Sequence, residues 1–154
     1  IITITQEAEK EKAAAQRSEL ERKLVEAEMM ALRSQMNPHF LFNSLNSIKY
    51  FIISNQNEKA SGYLSRFSKL IRQILDHSRH NLISLEAELA ALQLYLEIEA
   101  NRFEGKFQFS INVSEDINAS AILIPPMLLQ PFVENAIWHG LLNSIAEEKR
   151  LSIS

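Results

Sequence analysis

Cysteine is absent from these 154 residues, which excludes disulfides, thiolate metal sites and cysteine nucleophiles. Glycine occurs three times and proline four. Against an average near ~7% glycine, so little turn chemistry argues against a many-stranded sandwich or barrel and for long helices. No run approaches the ~18 consecutive apolar residues of a membrane span. A net charge of −3 argues against a nucleic-acid-binding surface as the main function. What is present, 46% apolar and 23% charged residues, is a globular composition. The chain opens on Ile1 rather than Met and reads as a piece of a longer protein, so any membrane segment would lie outside it.

Charge is concentrated at the start. Twelve of the 23 residues from 6 to 28 are charged, with no Gly or Pro among them and an Ala13-Ala14-Ala15 run. Glu19 stands four residues before Lys23, a spacing that supports a helix. Ala13, Leu20, Leu24, Ala27 and Ala31 fit an a/d seam, which predicts a short parallel coiled coil over residues 1–35. The alternative is a solvated single helix.

Beyond it, Leu41, Leu45, Ile48 and Ile52 form one apolar helical stripe and Leu64, Phe67, Ile71 and Ile74 a second, separated by Asn55-Gln56-Asn57. Two helices joined by a short polar loop make an antiparallel hairpin. One such hairpin is not expected to cover both stripes, and a two-fold partner would complete a four-helix bundle, so a homodimer is the expectation for residues 36–82. Pro38 is expected to sit inside the helix and localise bending there. The competing reading has Asn37 cap a fresh helix that Pro38 begins.

After Asn81 the pattern becomes mixed. Ser84 is an N-cap candidate, with Glu86 and Glu88 in the first turn of a helix carrying Leu85, Leu89, Leu92 and Leu96. Gly105 is placed to stop that helix. Phe107, Phe109, Ile111 and Val113 alternate with polar residues as a half-buried strand does. Pro131 is expected to start or kink the helix that follows, and L-S-I-S to open another strand. The fold class is therefore mainly α, with an incomplete α+β part over residues 83–154.

A lone histidine such as His39, with no acid or cysteine beside it, carries no signature of its own. His77 and His80 stand three apart, but only Asp76 lies near them, too little for a zinc site. The longer strings decide the matter. Residues 36–48, M-N-P-H-F-L-F-N-S-L-N-S-I, resemble the H-box of LytS/YehU-type sensor histidine kinases, and P-P-M-L-L-Q-P-F-V-E-N-A-I-W-H-G resembles their N-box. The intervening L-E-A-E-L-A-A-L-Q-L-Y-L-E-I-E-A-N-R-F is similar to the family's linking helix, and His39 precedes Asn135 by 96 residues.

That resemblance implies a sensor histidine kinase of a two-component system. Residues 1–35 would be its signalling helix, 36–82 its dimerisation and phosphotransfer hairpin, and 83–154 the first part of its ATP-binding domain. His39 would be the phosphoacceptor from ATP, passing the group to an aspartate of a response regulator. Asn135 would hold Mg²⁺, with Glu134 and His139 beside it at the nucleotide site. The chain would be the cytoplasmic portion of a bacterial inner-membrane protein. Phe40 stands where many histidine kinases place an acid, so Asn43, one helical turn from His39, is the amide expected to orient either the imidazole or an attacking water. Trp138 stands where the family usually has a basic residue, and an indole cannot reach a phosphate as a lysine can. No D-x-G-x-G follows the N-box, so the chain alone is expected neither to bind ATP well nor to autophosphorylate. A non-enzymatic coiled-coil interaction module is the rival reading.

Overall fold

In the computed structural model, which describes residues 3–33, 36–103, 107–141 and 149–154, helices dominate and the strands are short. The chain divides into two compact units, Ile1–Ile71 and Arg72–Ser154. In the first lie α1 (Ile4–Arg33), α2 (Pro38–Ile53) and the greater part of α3 (Asn57–His77).

The charged face of α1 is laced by pairs at helical spacing: Arg17 with Glu21, and Arg22 with both Glu19 and Glu26. Glu19 thus pairs three residues on, with Arg22, rather than four on with Lys23. The Arg22 guanidinium bonded to it also holds the Glu19 carboxyl below the usual carboxylate range. Exposed pairs of this kind are screened by water and contribute little. Packing fixes the helix instead: Leu20, Leu24, Ala27 and Ala31 are buried within the chain, while Ala13 at the head of the seam is exposed. Glu28 Oε1 meets Lys49 Nζ of α2 at 3.3 Å, which lays the two helices side by side.

This packing alters the case for a partner. Leu41, Ile48 and Ile52 of α2 and Leu64, Phe67 and Ile71 of α3 are already buried in a single chain, and Leu45 is half-buried. Phe40 stacks toward Phe67 at 6.4 Å and Phe51 toward Tyr63 at 6.2 Å between ring centroids. The expectation that a lone hairpin leaves its stripes uncovered omitted the covering that α1 supplies.

Pro38 is also placed differently from the first expectation. It does not bend a continuous helix: α1 ends at Arg33, and Asn37 caps α2 with its side-chain oxygen, which accepts from the His39 N–H at 3.0 Å. Proline lacks the N–H that a helix interior requires, but the first turn leaves its N–H groups without intrahelical partners anyway. At the other end of α2, Asn55 takes a φ of 57°, a left-handed conformation its side chain tolerates, and α3 begins two residues later.

The second unit is built around α4 (Leu85–Arg102), with Ser84 as its N-cap accepting from Ala87 N–H at 3.1 Å. Next to that cap, β1 (Ile83–Ser84) pairs antiparallel with β3 (Leu123–Ile124). The loop before β3 satisfies two more of the helix's leading donors: Leu85 N–H bonds Ile122 O and Glu86 N–H bonds Ala119 O. From Ala91 to Glu99 almost every position of α4 except Gln93 and Glu97 is buried. The alternating stretch forms β2 (Phe107–Ile111), paired parallel with β4 (Lys149–Ile153) in the register Phe107↔Lys149 to Ile111↔Ile153. Gly105 lies outside the described residues. α5 (Gln130–Asn135) starts at Gln130 with Pro131 in its first turn, and widens into a π-helical turn at Ala136–Leu141.

The capped start of α2 gives a direct expectation. Asn37→Ala should lower stability in urea denaturation by about 1 kcal/mol, the usual cost of losing such a cap. A continuous helix bent at Pro38 would instead be unchanged or strengthened by alanine at that position.

Candidate functional site

His39 occupies the first turn of α2 and is exposed, between a neighbour that faces solvent and two that do not. Pro38 is exposed, Phe40 and Leu41 are buried, and Phe42 returns to the surface at 63% exposure. The inward pair pins the turn to the helical core, while the imidazole is left open to another molecule. Beside it a cavity of about 380 Å³ is lined by Ala31, Met36, Pro38, Leu41, Phe42 and Leu45, with Glu28 and Lys49 near its edge.

Asn43, one turn further, brings its side-chain Nδ2 to 3.2 Å from His39 Nδ1, so its N–H₂ is the group presented to the ring. An amide offers either an N–H₂ donor or a carbonyl acceptor at nearly the same position, so this contact suits either neutral tautomer of the ring. With the carbonyl presented, Nδ1 keeps its proton and the lone pair resides on Nε2. With the N–H₂ presented, the lone pair is on Nδ1 and Nε2 carries the proton. Asn43 is therefore within reach to orient the ring through Nδ1.

The second constellation lies in the second unit. Glu134 and Asn135 end α5, and His139 follows in the π-helical turn. Val133 and Ile137 are buried, which anchors the segment, whereas Asn135 and His139 are exposed and Glu134 is half-buried. Gln130 Nε2 donates to Glu134 Oε1 at 3.3 Å. π-Helical turns occur with unusual frequency at functional sites, because the extra residue per turn re-aims the side chains around it. Among the described residues no three His, Cys, Asp or Glu side chains converge as a metal cage. A hard cation here would take one or two protein oxygens, such as that of Asn135, and complete its shell from phosphates and water, the arrangement Mg²⁺ favours.

Trp138 is half-buried, with a cation against its ring. The Arg102 guanidinium lies 5.3 Å from the Trp138 ring centroid and 4.2 Å from that of Phe103. It is held there by Glu99, which is fully buried and receives Arg102 Nε and Nη2 at 3.0 and 2.8 Å. A positive charge thus borders the N-box through a cation–π contact rather than through position 138 itself. Burial pushes the buried Tyr95 phenol upward, and the carboxylates of Glu99 and Glu134 push it the same way, so the phenol stays protonated.

The structure therefore brings His39 and Asn43 together on α2, and gathers Glu134, Asn135 and His139 on α5 and its π-helical turn. Two residues escaped the sequence reading. Glu88 counted only as a first-turn acid, and Glu99 was not singled out within the linking-helix string. Both carboxylates occupy the buried stripe that runs through Leu92, Tyr95 and Leu96, at helical spacings of three and four, and an acid in an apolar stripe was the available signal.

A family model described as histidine kinase matches residues 27–107. The sensor histidine kinase/phosphatase LytS of Staphylococcus aureus, in strains Mu50, N315 and MW2, is 39% identical over 120 residues. That match covers 78% of this chain and 20% of LytS, so the chain spans about a fifth of the length of these relatives. No solved structure matches it.

Proposed function

From the premise that the chain belongs to the LytS/YehU-type histidine kinases, we propose that His39 is the phosphoacceptor of a two-component sensor kinase, of which this chain is part. The observation that carries this reading is the exposed imidazole in the first turn of α2, with its Nδ1 against Asn43 and its flanking residues Phe40 and Leu41 buried. With the Asn43 amide turned over so that its carbonyl accepts from Nδ1–H, the Nε2 lone pair attacks the γ-phosphorus of ATP. An N–P bond forms as the P–O bond to ADP breaks. Such a transfer asks the protein chiefly for in-line positioning and charge neutralisation. The negative charge on the transferred phosphoryl oxygens then stands at the N-terminal end of α2, where the helix dipole favours it. From His39 the phosphoryl group passes to an aspartate of a response regulator.

On the same reading, residues 83–154 are the first part of the ATP-binding domain. Asn135 would hold Mg²⁺ through its amide oxygen, with Glu134 and His139 at the nucleotide's edge. The bound cation supplies charge neutralisation on the phosphates. Residues 1–35 carry the signal toward the hairpin of residues 36–82, and the whole belongs to the cytoplasmic side of a membrane-attached protein. No helix among the described residues is long and apolar enough to cross a membrane itself.

A homodimer also belongs to this reading, on a different surface from the buried stripes. Phe42, Tyr50 and Ile53 of α2 are 63%, 62% and 71% exposed, an apolar set available to a second copy in a four-helix bundle. Tyr50→Asp with Ile53→Asp should turn a sedimenting dimer into a folded monomer. A dimer that survives both changes would place the contact elsewhere.

The assignment of His39 is tested on the full-length kinase incubated with labelled ATP. It should acquire acid-labile, alkali-stable phosphate, the stability profile of a phosphoramidate, and His39→Gln should abolish it while the far-ultraviolet spectrum is unchanged. Undiminished labelling of His39→Gln would remove His39 from the mechanism.

A further inference from the structure

Glu88 is an acid that has no reason to be buried unless something needs it. It lies in the first turn of α4, where a carboxylate ordinarily faces water near the helix's own leading N–H groups. Here it is only 4% exposed, and it serves a distant segment. Its Oε2 accepts from Met127 N–H at 3.1 Å and its Oε1 from Leu129 N–H at 3.0 Å.

Both of those donors sit at unusual places. Met127 has a φ of 57°, and the other non-glycine residue with positive φ among those described is Asn55. Asparagine tolerates that region through its short polar side chain, whereas methionine is found there only where its surroundings hold it. Leu129 is the N-cap of α5, yet it has no side-chain oxygen and makes no capping hydrogen bond. Its carbonyl already accepts from Phe132 and Val133 N–H, so it is the true start of the helix. The turn and helix start that lead to Asn135 thus have no cap of their own.

We propose that Glu88 is a positioning residue for the nucleotide site: its two oxygens hold the left-handed turn at Met127 and the start of α5, and so set where Asn135 stands. The proposal rests on the reading of Asn135 given above. Aspartate would be too short to reach both donors while α4 stays in place. Glutamine keeps the length but turns one acceptor into an N–H₂ group facing a backbone N–H, so a buried donor loses its partner.

The full-length kinase provides the test, read by the affinity of a fluorescent ATP analogue and by the thermal midpoint. Glu88→Gln should weaken nucleotide binding roughly tenfold, the size expected for one charge-assisted hydrogen bond lost in a buried place. Met127→Gly added to Glu88→Gln should restore most of that affinity, because glycine adopts the left-handed turn without help. Leu92→Ala, which removes packing from the same helix, should lower the midpoint and gain nothing from Met127→Gly. Unaltered binding by Glu88→Gln, or a loss that Met127→Gly does not repair, would overturn the proposal. Should Glu88→Gln alone fail to fold, the double variant must recover the fold, and its failure to do so counts equally against the proposal. A wild-type kinase that binds no nucleotide would remove the reading of Asn135, while the rescue of the Glu88→Gln midpoint by Met127→Gly would still decide what Glu88 does.

Discussion

Pro38 has no N–H to give, and the arrangement around His39 follows from where that absence is tolerated. A proline fits a helix without loss only in its first turn. The helix must therefore begin at Pro38, and Asn37 must stand outside it as the cap, accepting from His39 N–H. Once the start is fixed, the rotation of every later side chain is fixed as well. Phe40 and Leu41 turn into the core, His39 turns out, and Asn43 comes round one turn later beside the imidazole. A helix start is also where a transferred phosphoryl group meets the favourable end of the dipole. The dipeptide Asn37-Pro38 thus sets both the exposure of this histidine and its place at the helix start.

In the second unit the organising groups are carboxylates removed from water. A buried carboxylate is tolerated only when its oxygens are fully engaged, and each engagement fixes two pieces of chain to one another. Glu99 is engaged by Arg102, which places a guanidinium on the face of Trp138. Glu88 is engaged by the backbone of the segment that becomes α5. Both acids issue from α4, so one helix supplies polar anchors for the segment from Met127 to Trp138.

Much of this was legible in the sequence. Helical periodicity placed α1, α2, α3 and α4, and Ser84 capped α4 as its position beside Glu86 and Glu88 predicted. The strand of alternating residues appeared from Phe107 to Ile111, with Val113 exposed beyond its end, and the helix start near Pro131 appeared where the pattern put it. Three features were not legible, each for a physical reason. Pro38 was compatible with a kink or a start, and the cap that Asn37 makes to His39 N–H distinguishes the two. The covering of the hairpin stripes depended on the packing of α1 beside α2, which local pattern does not contain. The brief pairing of Ile83–Ser84 with Leu123–Ile124 joins segments too short for a period of two to be seen. The strings around His39 and Asn135 carried the family, because long motifs in fixed order hold information that single residues do not.

In the proposed mechanism His39 attacks through Nε2, with the Asn43 amide turned so that its carbonyl accepts from Nδ1–H. The phosphohistidine isomer reports this directly. Phosphorylated full-length protein, digested under alkaline conditions and examined by nuclear magnetic resonance and peptide mapping, should carry its phosphate on Nε2 of His39. Phosphate on Nδ1 of that ring, or on His77, His80 or His139, would contradict it.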